Sequence, residues 1–270
     1  GSLTQLTNFS RAKKRGEPGL SKQDQWLKND QIQTFDFLRQ EAAQQKIAEA
    51  ERKANEPIRP KEFSLDDKSS LASIKASPDM RYLVFKISKN PEGNQNTIVP
   101  NYITASGYVE DIPGRTKVGN QLATYQSYVY DRNRDTIYAI ATKDIPGIKD
   151  LPDYVKDYPK QLEERTKKNE DRKVSIVGPY WNDAGTQAVV LVYALDNKDR
   201  WVMKLDPSTG QLSLLDRQRD EAWIGGPGIG GSYGGANIGW INNEIIYYQS
   251  EASGYSHIYT QHVVSGTKKQ

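Results

Sequence analysis

The 270-residue chain repeats itself in a way that leaves few folds open to it. Three segments share one order: an aromatic or Ser/Pro/Asp turn, an apolar strand, a second strand, a polar turn and a third strand. In the first, SPDMRYLVF leads to QSYVYDRNRDTIYAIA. The second runs from YWNDAGTQAVVLVY to DRWVMKLDPSTGQLSLLD, and the third from GWINNEIIYYQSE to SHIYTQHVVSGTKKQ. Trp181 and Trp240 occupy like positions 59 residues apart, and Gly210 and Gly266 like positions 56 residues apart. A unit of about 40–60 residues with three or four antiparallel strands has the size and make-up of a propeller blade. From Phe63 onward short β-type runs dominate and few helices alternate with them, which argues against a parallel α/β sheet. Three blades cannot close a ring. The expectation is therefore an all-β fold, a partial β-propeller of about three blades of antiparallel strands, carrying long helical insertions. The opening GSLTQLT matches the outer-strand start in TGQLSLL, so the segment is expected to begin just after one blade's last turn and to stop at the same phase.

The stretches that break the repeat divide the rest of the chain. Residues 1–20 read as the end of a preceding blade and a linker, and 21–56 as a long helical insertion. Residues 57–143 read as a blade, 144–172 as a loop with a short helical insertion, 173–217 as a blade, and 218–270 as a blade with a Gly-rich loop at 225–239. In the first insertion, Ser21-Lys22-Gln23-Asp24 reads as an N-cap box with Leu20 as its staple. A Gln, Lys, Glu and Ala run then continues without Gly or Pro to Pro57. Trp26, Leu27, Phe35, Leu38, Ala42, Ile47 and Ala50 give it a broken apolar stripe on a helix about 50 Å long. That is a solvated surface helix with one weakly apolar side, or a helix for a partner or for self-association. In the second insertion YPKQLEERTKKNED follows a Pro/Gly-rich joint, with Asp157 as the expected cap and Pro159 in the first turn.

Composition works mainly by exclusion. The 37 basic and 34 acidic residues are interspersed and leave a charge of +3, with no basic stripe, so nucleic acid is not an expected partner. There is no cysteine, which removes disulfides, thiolate metal sites and a cysteine nucleophile. No apolar run reaches the length of about eighteen residues that a membrane span needs, and no signal peptide is visible. Asp196, Asn197 and Asp199 offer oxygen ligands, but their spacing lacks the calcium-loop pattern and reads as a polar turn. The Gly-rich loop lacks the Gly-Lys-Ser/Thr ending and following helix of a phosphate cradle. No cofactor and no metal site are expected.

One motif invites a catalytic reading. Gly230-Gly231-Ser232-Tyr233-Gly234 is a literal G-x-S-x-G. A nucleophile elbow needs a strand leading into the serine and a helix leaving it. Before Ser232 stands WIGGPGIG, where Pro and repeated Gly oppose a strand; after it only a few residues precede the next blade at Gly239-Trp240. His257 and His262 are the only histidines, both in strand-like runs, and Glu244 and Glu251 are the only acids between Ser232 and His257. No hydrolase sheet fits in that space. Ser232 reads as part of a glycine loop and His257 as a partly buried residue with a backbone or carboxylate partner, so no residue of this chain is expected to be catalytic.

The strings YWNDAGTQAVV, ALDNKDRW, DRQRDEAWIGGPG and YYQSEASGYSHIYT resemble the propeller of the prolyl oligopeptidase family of serine peptidases, in the dipeptidyl peptidase IV branch found among exported bacterial enzymes. Ser250, Glu251, Ser253, Gly254, Tyr255, His257 and Tyr259 carry the most specific part, and the resemblance covers about residues 57–270. It implies a two-domain parent in which the propeller caps a C-terminal α/β-hydrolase domain that supplies Ser, Asp and His in that order. The family's own nucleophile motif is also of the Gly-x-Ser-Tyr-Gly-Gly kind. The resemblance implies that this chain gates and positions peptide substrates, that the triad lies downstream of Gln270, and that the location is periplasmic or secreted. Peptidases of this branch bind the substrate's free amine with two propeller glutamates in an aromatic-rich string. No such string is present here, and the Glu163-Glu164 pair sits in the charged insert. The acidic pair Asp220-Glu221, with Trp223 and Tyr255, is the expected substrate-binding set; ion pairing of the acids with Arg217 or Arg219 is the alternative. A stand-alone propeller acting as a protein-interaction module, with the 21–56 helix as its docking element, is the other functional reading, and self-association is open in either.

Overall fold

The computed structural model describes residues 5–11, 21–23, 35–56, 59–231 and 234–270. The chain divides into two compact units, Gly1–Asp67 and Lys68–Gln270.

In the first unit, β1 (Asn8–Arg11) pairs in parallel with β2 (Glu62–Leu65), Asn8 opposite Glu62 and Arg11 opposite Leu65. The ring of Phe9 meets that of Phe63 edge-on at 6.1 Å, so a short apolar contact reinforces the backbone ladder. Helix α1 (Phe35–Ala54) lies between these strands in sequence. Its residues from Ala43 onward face solvent, Ile47 among them, and Glu49 pairs with Lys53 one turn on at 3.1 Å. Exposure of this half fits both readings of the insertion, a solvated surface helix and a helix for a partner or for self-association. Leu20, Asp24, Trp26 and Leu27, from the expected start and stripe, lie outside the described residues.

The second unit is built from three four-stranded antiparallel sheets. The first contains β3 (Ser69–Ala76) and β4 (Tyr82–Lys89). The chain then leaves as a separate hairpin, β5 (Asn96–Asn101) and β6 (Glu110–Thr116), and returns as β7 (Thr124–Asp131) and β8 (Thr136–Ala139). The second sheet is β9 (Val174–Trp181), β10 (Ala188–Ala194), β11 (Asp199–Asp206) and β12 (Gln211–Arg219). The third is β13 (Ile238–Trp240), β14 (Ile245–Ser250), β15 (His257–His262) and β16 (Lys268–Lys269). Each is an up-and-down meander, the strand order of a propeller blade. The all-β partial propeller read from the repeat is the fold observed, and Trp181 and Trp240 each end the first strand of their sheet.

The sheets stack face to face, and β10 shows why. Its sequence AVVLVYA is buried at every position. Strand side chains alternate between faces. Ala188, Val190, Val192 and Ala194 accordingly join Tyr82, Val84 and Val129 of the first sheet in one core, together with Trp201, Met203 and Leu205 of β11. Val189, Leu191 and Tyr193 point the other way and join Ile246 and Tyr248 of β14 and Tyr259 of β15 in a second core. A strand apolar on both faces is one with a sheet on either side, and burying each large side chain contributes about 1.5–3 kcal/mol.

Equivalent side chains close the equivalent turns. At the first hairpin of each sheet, Ser77 Oγ accepts from Tyr82 N at 2.9 Å, Asn182 Oδ1 from Gln187 N at 3.0 Å, and Asn242 Oδ1 from Ile245 N at 2.8 Å. At the last, Asp131 accepts from Asn133 N at 2.9 Å and Asp206 from Ser208 N at 2.9 Å. In the third sheet the ring of His262 takes that role, its Nδ1 accepting from Val264 N and Ser265 N at 3.2 Å each. Nδ1 is thus an acceptor, so Nε2 carries the proton and donates to Glu244 at 3.1 Å. These are short polar side chains satisfying turn N–H groups. Gly210 sits in the second sheet's last turn at φ +75°, where a Cβ would also stand 2.7 Å from the carbonyl oxygen of Ala139.

The second insertion folds as a 3-10 turn at Asp153–Asp157 followed by α2 (Pro159–Lys168). Pro159 takes the first helical position, as expected, but Tyr158 is the capping residue in place of Asp157, because Asp157 still belongs to the preceding turn. Ile145 and Ile148, just before it, enter the core between the first two sheets, and Trp201 Nε1 donates to the Pro146 carbonyl at 2.9 Å.

Candidate functional site

A groove of about 380 Å³ opens between the second and third sheets. The outer strand β12 forms one wall with Asp216, Gln218 and Arg219. The loop after it adds Asp220, Trp223 and Ile229, and the β14–β15 turn adds Ser250, Glu251 and Gly254. Two of the four expected binding residues, Asp220 and Trp223, are therefore brought together on its rim. Tyr255 follows Gly254 on the opposite turn, 77% exposed, with its ring edge-on to His257 at 6.5 Å.

The acidic pair is divided between two jobs. Asp220 closes its own turn: one carboxylate oxygen accepts from Ala222 N at 2.6 Å and from Trp223 N at 2.9 Å. Those bonds, Trp223 first, hold its carboxyl below the ordinary range. The same bonds set the direction in which the Trp223 indole leaves the backbone. Glu221 turns to the second insertion, accepting from Asp153 N at 2.9 Å, and pairs with Arg219, whose Nε stands 2.8 Å away. Its carboxyl is also held low, by the Asp153 N–H and then by Arg219. Glu221 is thus the acid that pairs with Arg219. Arg217 goes to Asp199 at 2.8 Å and to Asp150 at 2.6 Å.

The groove's remaining polar groups escaped the reading of the sequence. The Glu251 carboxylate has no hydrogen-bond or ion-pair partner among the described residues. It passes so close to Gly226 that a Cβ there would stand 2.0 Å from its Oε1. Gly226, at φ +114°, leaves the only kind of backbone that admits the carboxylate. Gln218 is buried, and its Oε1 likewise accepts nothing among the described residues. Behind it, across the β11–β12 ladder, lies the fully buried Arg200. Its guanidinium stands over the Tyr193 ring at 6.0 Å and donates to the Gln249 carbonyl at 3.3 Å, while Nε and Nη2 find no acceptor. Burial pushes its pKa down. Asp216 is neutralised by Lys268 at 2.9 Å. The string SEASGY did contain Glu251, but nothing local marks an acid as unpartnered; that depends on what the folded chain places around it.

The other sequence candidates fall elsewhere. Asp199, 0% exposed, is held by Arg172 at 2.5 Å, Arg217 at 2.8 Å and Arg219 at 2.7 Å, and Arg172 also grips Asp196 at 2.7 Å. Three guanidinium groups around one carboxylate leave it unsuited to a cation. Ser232 and Tyr233 lie outside the described residues; on either side of them Gly231 and Gly234 exchange backbone hydrogen bonds at 3.0 and 2.9 Å. The next element is the strand β13, where a nucleophile elbow would require a helix. His262 is committed to its turn. Among the described residues no helix is long and apolar enough to cross a membrane.

No family model and no curated protein matches the sequence. Among solved structures, a Bacteroides ovatus protein described as a dipeptidyl aminopeptidase IV is similar over 74% of this chain and 26% of its own, at 10% identity and a TM-score of 0.47. Porphyromonas gingivalis dipeptidyl peptidase 4 is similar over 73% and 23%, at 15% identity and a TM-score of 0.48. The periplasmic gluconolactonase of Pseudomonas aeruginosa covers 75% of this chain and 53% of its own, at 15% identity and a TM-score of 0.32. The chain spans about a quarter of the length of the two peptidases it is similar to.

Proposed function

We propose that this chain is the non-catalytic propeller portion of a serine peptidase of the dipeptidyl peptidase type, and that it gates and positions peptides for a separate α/β-hydrolase domain in a periplasmic or secreted enzyme. The observation that carries the reading is the groove between the second and third sheets, where the free Glu251 carboxylate and the buried Gln218 Oε1 face the same space as the exposed Trp223 indole. Two acceptors, one of them charged, beside an aromatic face suit a primary ammonium at the end of a peptide. Glu251 lies in the very string that resembles the peptidase propellers. The test is a titration of Trp223 fluorescence with Ala-Pro-Ala and with its N-acetyl form. The free-amine peptide should bind and the acetylated one about tenfold more weakly, with the difference lost in Glu251→Gln. Equal binding of the two peptides defeats the reading. The chain alone should release no product from chromogenic dipeptide substrates, and turnover by it would reassign the catalysis.

A second reading, an interaction module, is favoured by the β5–β6 hairpin, which holds Ile98, Val99, Tyr102, Ile103, Tyr108 and Ile112 in solvent. Exposed apolar side chains gathered on one hairpin suit an association site. Light scattering should then give a mass above that of one chain, falling to one chain in the double variant Ile103→Lys, Tyr108→Lys; a monomer in both removes this reading.

A further inference from the structure

A second groove, of about 530 Å³, opens between the first and second sheets on the side of their first strands. Strand register explains its chemistry. Lys86 on β4 lies opposite Ser73 on β3, and Lys75 lies opposite Val84, so Lys75 and Lys86 are diagonal neighbours on one face. Diagonal positions place side chains roughly 7–8 Å apart, within reach of one shared ligand. The same face continues from β4 to β7, with Ser88 opposite Tyr125 and Val84 opposite Val129. Its Val84 and Val129 end packs into the core between the sheets, and its Lys86, Ser88 and Tyr125 end lines the groove. The face thus changes from apolar to cationic within one strand.

Neither ammonium has an acidic partner. Lys86 Nζ is bonded to Ser175 Oγ at 3.3 Å and stands 5.3 Å from the centre of the Tyr125 ring. Lys75 Nζ lies 4.9 Å from the centre of the Tyr180 ring. No carboxylate among the described residues comes within ion-pair distance of either, whereas Lys68, Lys198 and Lys268 stand against Glu92, Glu221 and Asp216. Lys86 is half-buried, and burial alone holds its ammonium below the ordinary lysine range. An ammonium has three donors, and a half-buried one left with a single long bond is costly unless an anion completes it.

We infer that this groove binds an organic carboxylate, gripped by the ammonium groups of Lys75 and Lys86, with the Ser73 and Ser88 hydroxyls beside it and the Tyr125 and Tyr180 rings as walls for the organic part. Two ammonium groups on one face draw an anion's oxygens, and the Tyr125 and Tyr180 rings offer an organic residue a surface that inorganic phosphate does not use. The inference does not rest on the proposed peptidase role, because it uses different residues in a different groove; an amine preference that fails at Glu251 leaves it standing.

The experiment is calorimetric titration of the full 270-residue chain with four probes. These are acetyl-Ala-Glu amide, its Gln counterpart, acetyl-Ala-Ala with a free C-terminus, and inorganic phosphate. The Glu peptide or the free C-terminus should bind at least about tenfold more tightly than the Gln peptide, and which of the two wins identifies a side-chain or a terminal carboxylate. Lys86→Met should abolish the preference and Lys75→Gln should reduce it, while the winning carboxylate raises the melting temperature of the unaltered chain and not that of Lys86→Met. Lys86→Met removes an unpaired charge and keeps the side-chain volume, so its melting temperature should not fall. Should it nonetheless fail to fold, Lys75→Gln decides the matter alone, since Lys75 is more exposed and contacts only a ring face. Equal binding of Glu and Gln peptides overturns the inference, as do phosphate binding without carboxylate binding, a preference that survives Lys75→Gln and Lys86→Met, and the absence of any binding.

Discussion

Asp199 is the residue on which most of the chain's charge order converges. Its carboxylate is fully buried and neutralised by three arginines drawn from the insertion side and from β12. Removing it would leave Arg172, Arg217 and Arg219 facing one another, so Asp199→Ala should cost about 3–5 kcal/mol in urea unfolding, with Asp199→Asn recovering only part. The sequence showed Asp199 as a member of a polar turn; its partners lie far along the chain and no local pattern announces them. Asp220 and Glu221 carry a pH prediction. Both carboxyls are held below the ordinary range in the fold, Asp220 by the Trp223 and Ala222 N–H groups and Glu221 by the Asp153 N–H and Arg219. As pH falls the unfolded chain takes up these protons first, so their contribution is intact above the ordinary carboxylate pKa and is lost as pH falls through the depressed values. The urea midpoint should therefore drop below about pH 4, and less steeply in Asp220→Asn than in the unaltered chain.

Strands and hairpins differ in what the sequence tells about them. AVVLVYA could be read as a strand buried on both faces, and β10 is one, because its apolar residues run without alternation. Leu191, fully buried between the second and third sheets, should cost about 2–5 kcal/mol on replacement by Ala, measured as a lowered denaturant midpoint. Ile103 is as apolar as Leu191, yet it stands 93% exposed at the tip of the β5–β6 excursion. Ile103→Lys should leave unfolding stability within about 0.5 kcal/mol. Composition cannot separate these two residues; the hairpin's departure from the first sheet does. The helical insertions were legible from their charged, Gly-free runs, while the exact start of α2 was not, because whether Asp157 or Tyr158 caps it depends on the 3-10 turn before it.

Both hydrophobic cores lie within residues 68–270, one between each pair of successive sheets. Each sheet has its own polar turns, closed by Ser77, Asn182 and Asn242 at one end and by Asp131, Asp206 and His262 at the other. A chain of 68–270 alone should therefore unfold cooperatively, and limited proteolysis should trim the chain towards it; rapid degradation throughout would show that the first 67 residues are needed. The middle sheet is covered on both faces. The third sheet leaves Tyr247 and Ile258 exposed on the face away from the second core.

Apolar runs between turn signals and a recurring Trp and Gly are local signals, and they were enough to read a repeated unit of three or four antiparallel strands and to set Ser232 aside by its flanks. Function at a groove depends on which charges remain unpaired once the sheets have packed, and that is a property of residues distant in sequence. So Asp220 and Glu221, read either as a substrate-binding pair or as partners of Arg217 or Arg219, are engaged in a turn and in an ion pair with Arg219, while Glu251, Lys75 and Lys86, whose sequence neighbours do not show whether they are paired, stand at the two grooves without an acidic or basic partner among the described residues. Pairing cancels a charge only across space, and the stacking of one sheet on the next selected which charges were cancelled here.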